Sequence, residues 1–133
     1  MKKHLLYFSV LCLVFSTSCY KDEVIDTKPG ESLDSVTNLQ AQVSENDILL
    51  SWDLPSTYPS SVIQPVSVQI EVRINGNKEG GAIVIADNPE SYIFSTYDPE
   101  NEYRFTVKVM ANIETTEPHV SDLLYSLGET VGL

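Results

Sequence analysis

From about residue 36 onward, apolar and polar positions alternate. Ile48, Leu50 and Trp52 fall on one face of an extended segment, and Leu49, Ser51 and Asp53 on the other. The run over 66–74 is cleaner still: Val66, Val68, Ile70, Val72 and Ile74 alternate with Ser67, Gln69, Glu71 and Arg73. A helix would scatter Val68 and Val72 away from Val66 and Ile70, so a strand is predicted. Asn75-Gly76 follows at once, the pair that best tolerates positive φ at both turn centres, and predicts a hairpin tip. Further strands are predicted over 82–86, 91–96, 103–111 and 122–127. In the third of these Tyr103, Phe105, Val107, Val109 and Ala111 face inward, with Arg104, Thr106, Lys108 and Met110 outward. Short strands divided by turn signals, with no helical window, predict an all-β fold, an antiparallel β-sandwich. Two long loops, 54–65 and 112–120, are predicted to lie at one end of it.

The first 18 residues follow a different rule. Met1-Lys2-Lys3-His4 is basic, and 5–15 is an unbroken run without a charge. Eleven residues are too few for a spanning helix, which needs about twenty, but they suit the apolar region of an export signal. The run ends in Ser16-Thr17-Ser18-Cys19, which resembles the lipobox of bacterial lipoproteins. That resemblance implies that the Cys19 thiol takes a diacylglyceryl group, that the chain is cut before Cys19, and that the new amino terminus is acylated too (palmitate and related chains). One acyl chain holds a protein marginally and two or more anchor it stably, each buried methylene giving about 0.8 kcal/mol. Tyr20-Lys21-Asp22-Glu23 comes next. Lys21, Asp22 and Glu23 in that place look like the sorting signal of Bacteroidota surface lipoproteins. They imply an outer-membrane protein displayed at the cell surface, the alternative being a periplasm-facing domain. Residues 19–35 are rich in Asp, Glu and Ser with one Pro-Gly, the composition of a disordered tether. Residues 36–133 are left as one domain.

Within that domain, Val36-Thr37-Asn38-Leu39 and Ile48-Leu49-Leu50-Ser51-Trp52-Asp53-Leu54-Pro55 resemble the first two strands of a fibronectin type III module, an immunoglobulin-like sandwich. Tyr97-Asp98-Pro99-Glu100-Asn101-Glu102-Tyr103 is similar to that family's approach to its sixth strand. The resemblance implies that Trp52 fills the core. It also implies that Tyr103 forms a tyrosine corner, with its ring in the core and its hydroxyl bonded to backbone upstream. Modules of this family bind or space; they carry no catalytic residues.

Composition narrows the function. Nineteen Asp+Glu face eight Lys+Arg, a formal charge of −11, and the leader takes Lys2 and Lys3 with it. Such a surface repels nucleic acid, so no nucleic-acid partner is expected. With Cys12 in the leader and Cys19 lipidated, no disulfide is available and packing alone must hold the fold. Outside the leader the one histidine is His119, in a loop, and no nucleophile motif, phosphate loop or metal-ligand pair occurs. Asp98, Glu100 and Glu102 crowd the Pro99 turn, where solvating that turn explains them better than calcium binding or glycoside hydrolysis. No enzyme and no cofactor are expected. Loop 54–65 displays Tyr58 among small polar residues, a candidate ligand contact for sugar or peptide, with packing on the sandwich end as the plainer reading. The sequence therefore leads to a non-enzymatic envelope lipoprotein, tied to the membrane by its lipid anchor, that binds a partner protein or glycan. The alternative is a structural subunit or spacer of an outer-membrane assembly.

Overall fold

The computed structural model describes residues 31–133 other than Glu117 and His119. The expected export leader, Cys19, the expected Lys21-Asp22-Glu23 sorting signal and His119 therefore lie outside the described residues. What is described is an antiparallel β-sandwich of nine strands: β1 Thr37–Ser44, β2 Asp47–Asp53, β3 Val62–Ile74, β4 Asn77–Lys78, β5 Ile83–Ile85, β6 Ser91–Ser95, β7 Tyr103–Ile113, β8 Leu123–Tyr125 and β9 Glu129–Gly132.

One sheet runs β1-β2-β6. The other is built on β3 and β7, with β4 and β5 on the far side of β3 and β8 and β9 on the far side of β7. The alternation sets which face of each strand is buried. Ile48, Leu50 and Trp52 from β2 meet Val66, Val68, Ile70 and Val72 from β3 and the five inward residues of β7, all at most 3% exposed. Asn75 (φ 52°) and Gly76 (φ 81°) make the two-residue turn between Ile74 and Asn77, as their tolerance of positive φ requires.

Beyond shifts of one or two residues at strand ends, three boundaries differ from the pattern. β3 starts at Val62, not 66, because Val62 and Ile63 pair with Ile113 and Asn112 before a register shift that ends at Ser67. Loop 54–65 is shorter by that amount. The strand predicted over 122–127 ends at Tyr125 as β8, and a further strand, β9, takes up the pairing with β7 after Ser126. The Ser126 backbone N–H donates to the Val109 carbonyl and its Oγ accepts from the Val109 N–H, both at 2.9 Å, so a side chain stands in for one ladder bond. Gly128 then lies against β7 so closely that a Cβ there would sit 2.6 Å from Thr106 Cγ2.

The third difference is at the start. Leu33, which the periodicity leaves in the tether, is 5% exposed and belongs to the core, bridged in parallel to Ser126. Glu31 is tied down as well, its carboxylate accepting from the Ser61 hydroxyl. The sandwich therefore takes in residues 31–35, and a tether reaching to 35 is too long.

Candidate functional site

Trp52 and Tyr103 form the structural frame. The Trp52 indole N–H donates to the Pro89 carbonyl at 2.8 Å and its backbone N–H to the Glu90 carbonyl at 3.0 Å, fixing the entry to β6. The Tyr103 hydroxyl accepts from the Asp98 N–H at 2.9 Å and donates to the Thr96 carbonyl at 3.3 Å. Its ring lies edge-on to Phe94 and parallel to Phe105, 6.0 and 6.3 Å away between centroids. That is the geometry of a tyrosine corner. Asp98 is spent on the same turn, its carboxylate accepting from the Glu100 N–H at 2.9 Å.

The two longer loops do meet at one end. The Glu114 N–H donates to the Ser61 carbonyl at 2.8 Å, just beyond the Val62–Ile113 pair. Tyr58 is half-buried there and packs against the core, and burial pushes its hydroxyl pKa up. Among the described residues no cluster of three or more His, Cys, Asp or Glu is placed to hold a metal ion.

At the opposite end of β3 lies an arrangement that no single stretch of sequence displays. Arg73 on β3 stands directly opposite Lys78 on β4 and directly opposite Arg104 on β7. Three cations thus form one row across three neighbouring strands, on the outer face of the sheet. Like charges directly opposite one another destabilise a sheet by a few tenths to about 1 kcal/mol per pair. Two carboxylates from adjacent positions soften the row. Glu71 meets Arg73 Nε at 3.1 Å and Lys78 Nζ at 3.2 Å, and Glu102 meets Arg104 at 3.4 Å. The hydrogen bond from Lys78, with help from Arg73, holds the Glu71 carboxyl below its ordinary pKa. These pairs are exposed, and pairs of that kind contribute about 0–1 kcal/mol. Stability gives no reason for the row.

Beside it is an open groove of about 490 Å³ lined by Arg73, Asn75, Gly76, Glu102, Arg104, Thr106 and Thr130. Asn75 is locked in place. Its Oδ1 accepts from the Glu102 N–H at 2.9 Å and its Nδ2 donates to Asn101 Oδ1 at 2.7 Å. Thr106 and Thr130 share one hydrogen bond between hydroxyls 3.0 Å apart. The hairpin tip, the tyrosine corner and β9 therefore hold this groove rigidly. Lys108 is on the same face, two residues along β7 from Thr106.

A model of a domain of unknown function, DUF4945, matches residues 19–133. The chain belongs to that family. A comparison with curated proteins finds no match. The matched DUF4945 region begins at Cys19, the residue at which the leader is expected to be cut, and contains the whole sandwich with both the Tyr58 end and the arginine groove.

The alternation pointed to the outward placement of Arg73, Arg104 and Lys108, but not to their meeting. That depends on the β3–β7 register, in which the unbroken run of pairs from Ser67–Met110 to Ile74–Tyr103 brings positions 73 and 104 together.

Proposed function

We propose that this DUF4945 chain is a non-enzymatic lipoprotein of the cell envelope, held to the outer membrane through Cys19, whose single sandwich binds a partner protein or glycan. The observation that carries the binding part is the row Lys78–Arg73–Arg104 beside a rigid groove. A domain with this excess of acid has placed cations directly opposite one another, at a cost, next to a groove wide enough for a ligand. Sites that recognise something are where such local rules are broken.

The lipoprotein part rests on the leader and on Ser16-Thr17-Ser18-Cys19, with Lys21, Asp22 and Glu23 favouring display at the surface. A match that starts at Cys19 agrees with that reading. The strand order, three strands against a sheet centred on β3 and β7, together with the Tyr103 corner, supports a fibronectin type III-like module. In such modules a sandwich presents surfaces and carries no chemistry.

A subunit or spacer role in an outer-membrane assembly has its own support. Leu49 and Ile93 are directly paired on β2 and β6 and are 37% and 59% exposed, on the outer face of the other sheet. Edge strands and exposed apolar pairs are natural contact points for another protein. Co-purification from detergent extracts separates the readings. A protein partner lost when Leu49 and Ile93 are changed to Ser favours assembly. A monomer retained on polysaccharide favours ligand capture.

A further inference from the structure

We infer that the groove beside Arg73 and Arg104 takes the carboxylate of an acidic saccharide; this rests on, and sharpens, the reading of the domain as a binding module. The charge distribution points first to an anion. Of the eight Lys+Arg in the sequence, four precede residue 31, and the other four are Arg73, Lys78, Arg104 and Lys108. All four lie on the outer face of the β3–β7 sheet. Elsewhere the described surface carries acidic residues and no Lys or Arg to answer them, so among the described residues this is the one face on which an anion meets cationic side chains, with Glu71 and Glu102 beside them.

The lining then selects the kind of anion. Neither an aromatic ring nor an apolar side chain lines the groove, so a protein partner finds no buried anchor of the kind that dominates protein interfaces. A neutral sugar finds no ring to stack on. What the groove offers is two guanidinium groups and two hydroxyls. Arg73 spends Nε on Glu71 and has a long contact, 3.4 Å, from Nη1 to the Gly76 carbonyl. Arg104 spends one Nη2 hydrogen on Glu102. The planar forks retain N–H groups that match a carboxylate in two-pronged fashion. Of the two hydroxyl protons on Thr106 and Thr130, one is used between them, which leaves a donor and lone pairs for sugar hydroxyls. At about 490 Å³ the groove has room for a short saccharide. Glu102 is the internal competitor. Its carboxylate is 69% exposed and 3.4 Å from Arg104, loosely enough held for a ligand carboxylate to replace it.

The test uses the full-length lipidated protein in nonionic detergent, with trigalacturonate and sialyllactose as acidic probes. The methyl ester of the first and lactose serve as neutral counterparts, and triglutamate as a non-sugar acid. At least one acidic saccharide should bind, and its neutral counterpart and triglutamate should bind much more weakly. R73Q and R104Q should each weaken binding about tenfold or more, since each removes charge-assisted hydrogen bonds, with the thermal midpoint not lowered, because a like-charge contact goes with the ion pair. E102Q should strengthen it, because the competing anion is gone. Equal binding of acid and neutral forms, equal binding of triglutamate, or indifference to R73Q and R104Q overturns the inference. If neither saccharide binds but a protein partner still co-purifies, this inference falls and the binding module stands. If nothing binds, both fall.

Discussion

Trp52→Ala is expected to destabilise the sandwich by about 3–5 kcal/mol. The side chain is 3% exposed at the end of β2, so its removal opens a cavity that strands on both sides cannot easily fill. It also strips the Pro89 carbonyl of the indole N–H 2.8 Å away. Small domains are stable by about 5–15 kcal/mol in total. Neither cysteine of this sequence, Cys12 or Cys19, falls within residues 31–133, so no disulfide there limits the loss. As Trp52 is the one tryptophan, tryptophan fluorescence vanishes with it. The urea midpoint must be followed by circular dichroism. A midpoint within experimental error of wild type would mean that Trp52 is not a core residue.

Leu33→Ala is expected to cost about 2–3 kcal/mol, at the low end for a buried leucine because the segment near the start of the domain can relax. Here the structure departs from the alternation. A residue in a disordered tether would tolerate the change with no measurable effect. Leu127, 83% exposed, is the internal comparison, and Leu127→Ala should leave the midpoint in place. Equal, negligible effects at both positions would return Leu33 to the tether.

These two substitutions mark what the sequence could and could not reveal. Trp52 sits in a strict alternation, Ile48-Leu50-Trp52, and a period of two fixes the buried face wherever one side of a strand meets a core. Tyr103 was legible for the same reason, with the residues from Tyr97 to Glu102 adding the turn that its hydroxyl closes. Leu33 was not, because a single apolar residue among Glu, Ser and Asp has no period. Its burial goes with a bridge to Ser126, far downstream in the chain. The start of β3 at Val62 and Ile63 was hidden by Gln64-Pro65, a pair that reads as loop. For the candidate site the divide is sharper. Arg73 and Arg104 read as outward on their own strands, but nothing periodic places Lys78, and the like-charge row exists only once β4, β3 and β7 are set side by side in register. Tyr58 was conspicuous because aromatics in polar loops stand out, yet it is half-buried against the core.

The measurement that bears most directly on the proposed envelope lipoprotein is palmitate labelling and fractionation of cells carrying wild type or Cys19→Ser, combined with protease treatment of the intact cells. Wild type is predicted to take up label, sediment with the outer membrane and be shaved by external protease. Cys19→Ser should be unlabelled and leave the membrane fraction, since no acyl chain remains to hold it. A wild-type protein that is unlabelled and soluble, or a Cys19→Ser protein that stays with the membrane, would contradict anchoring through Cys19.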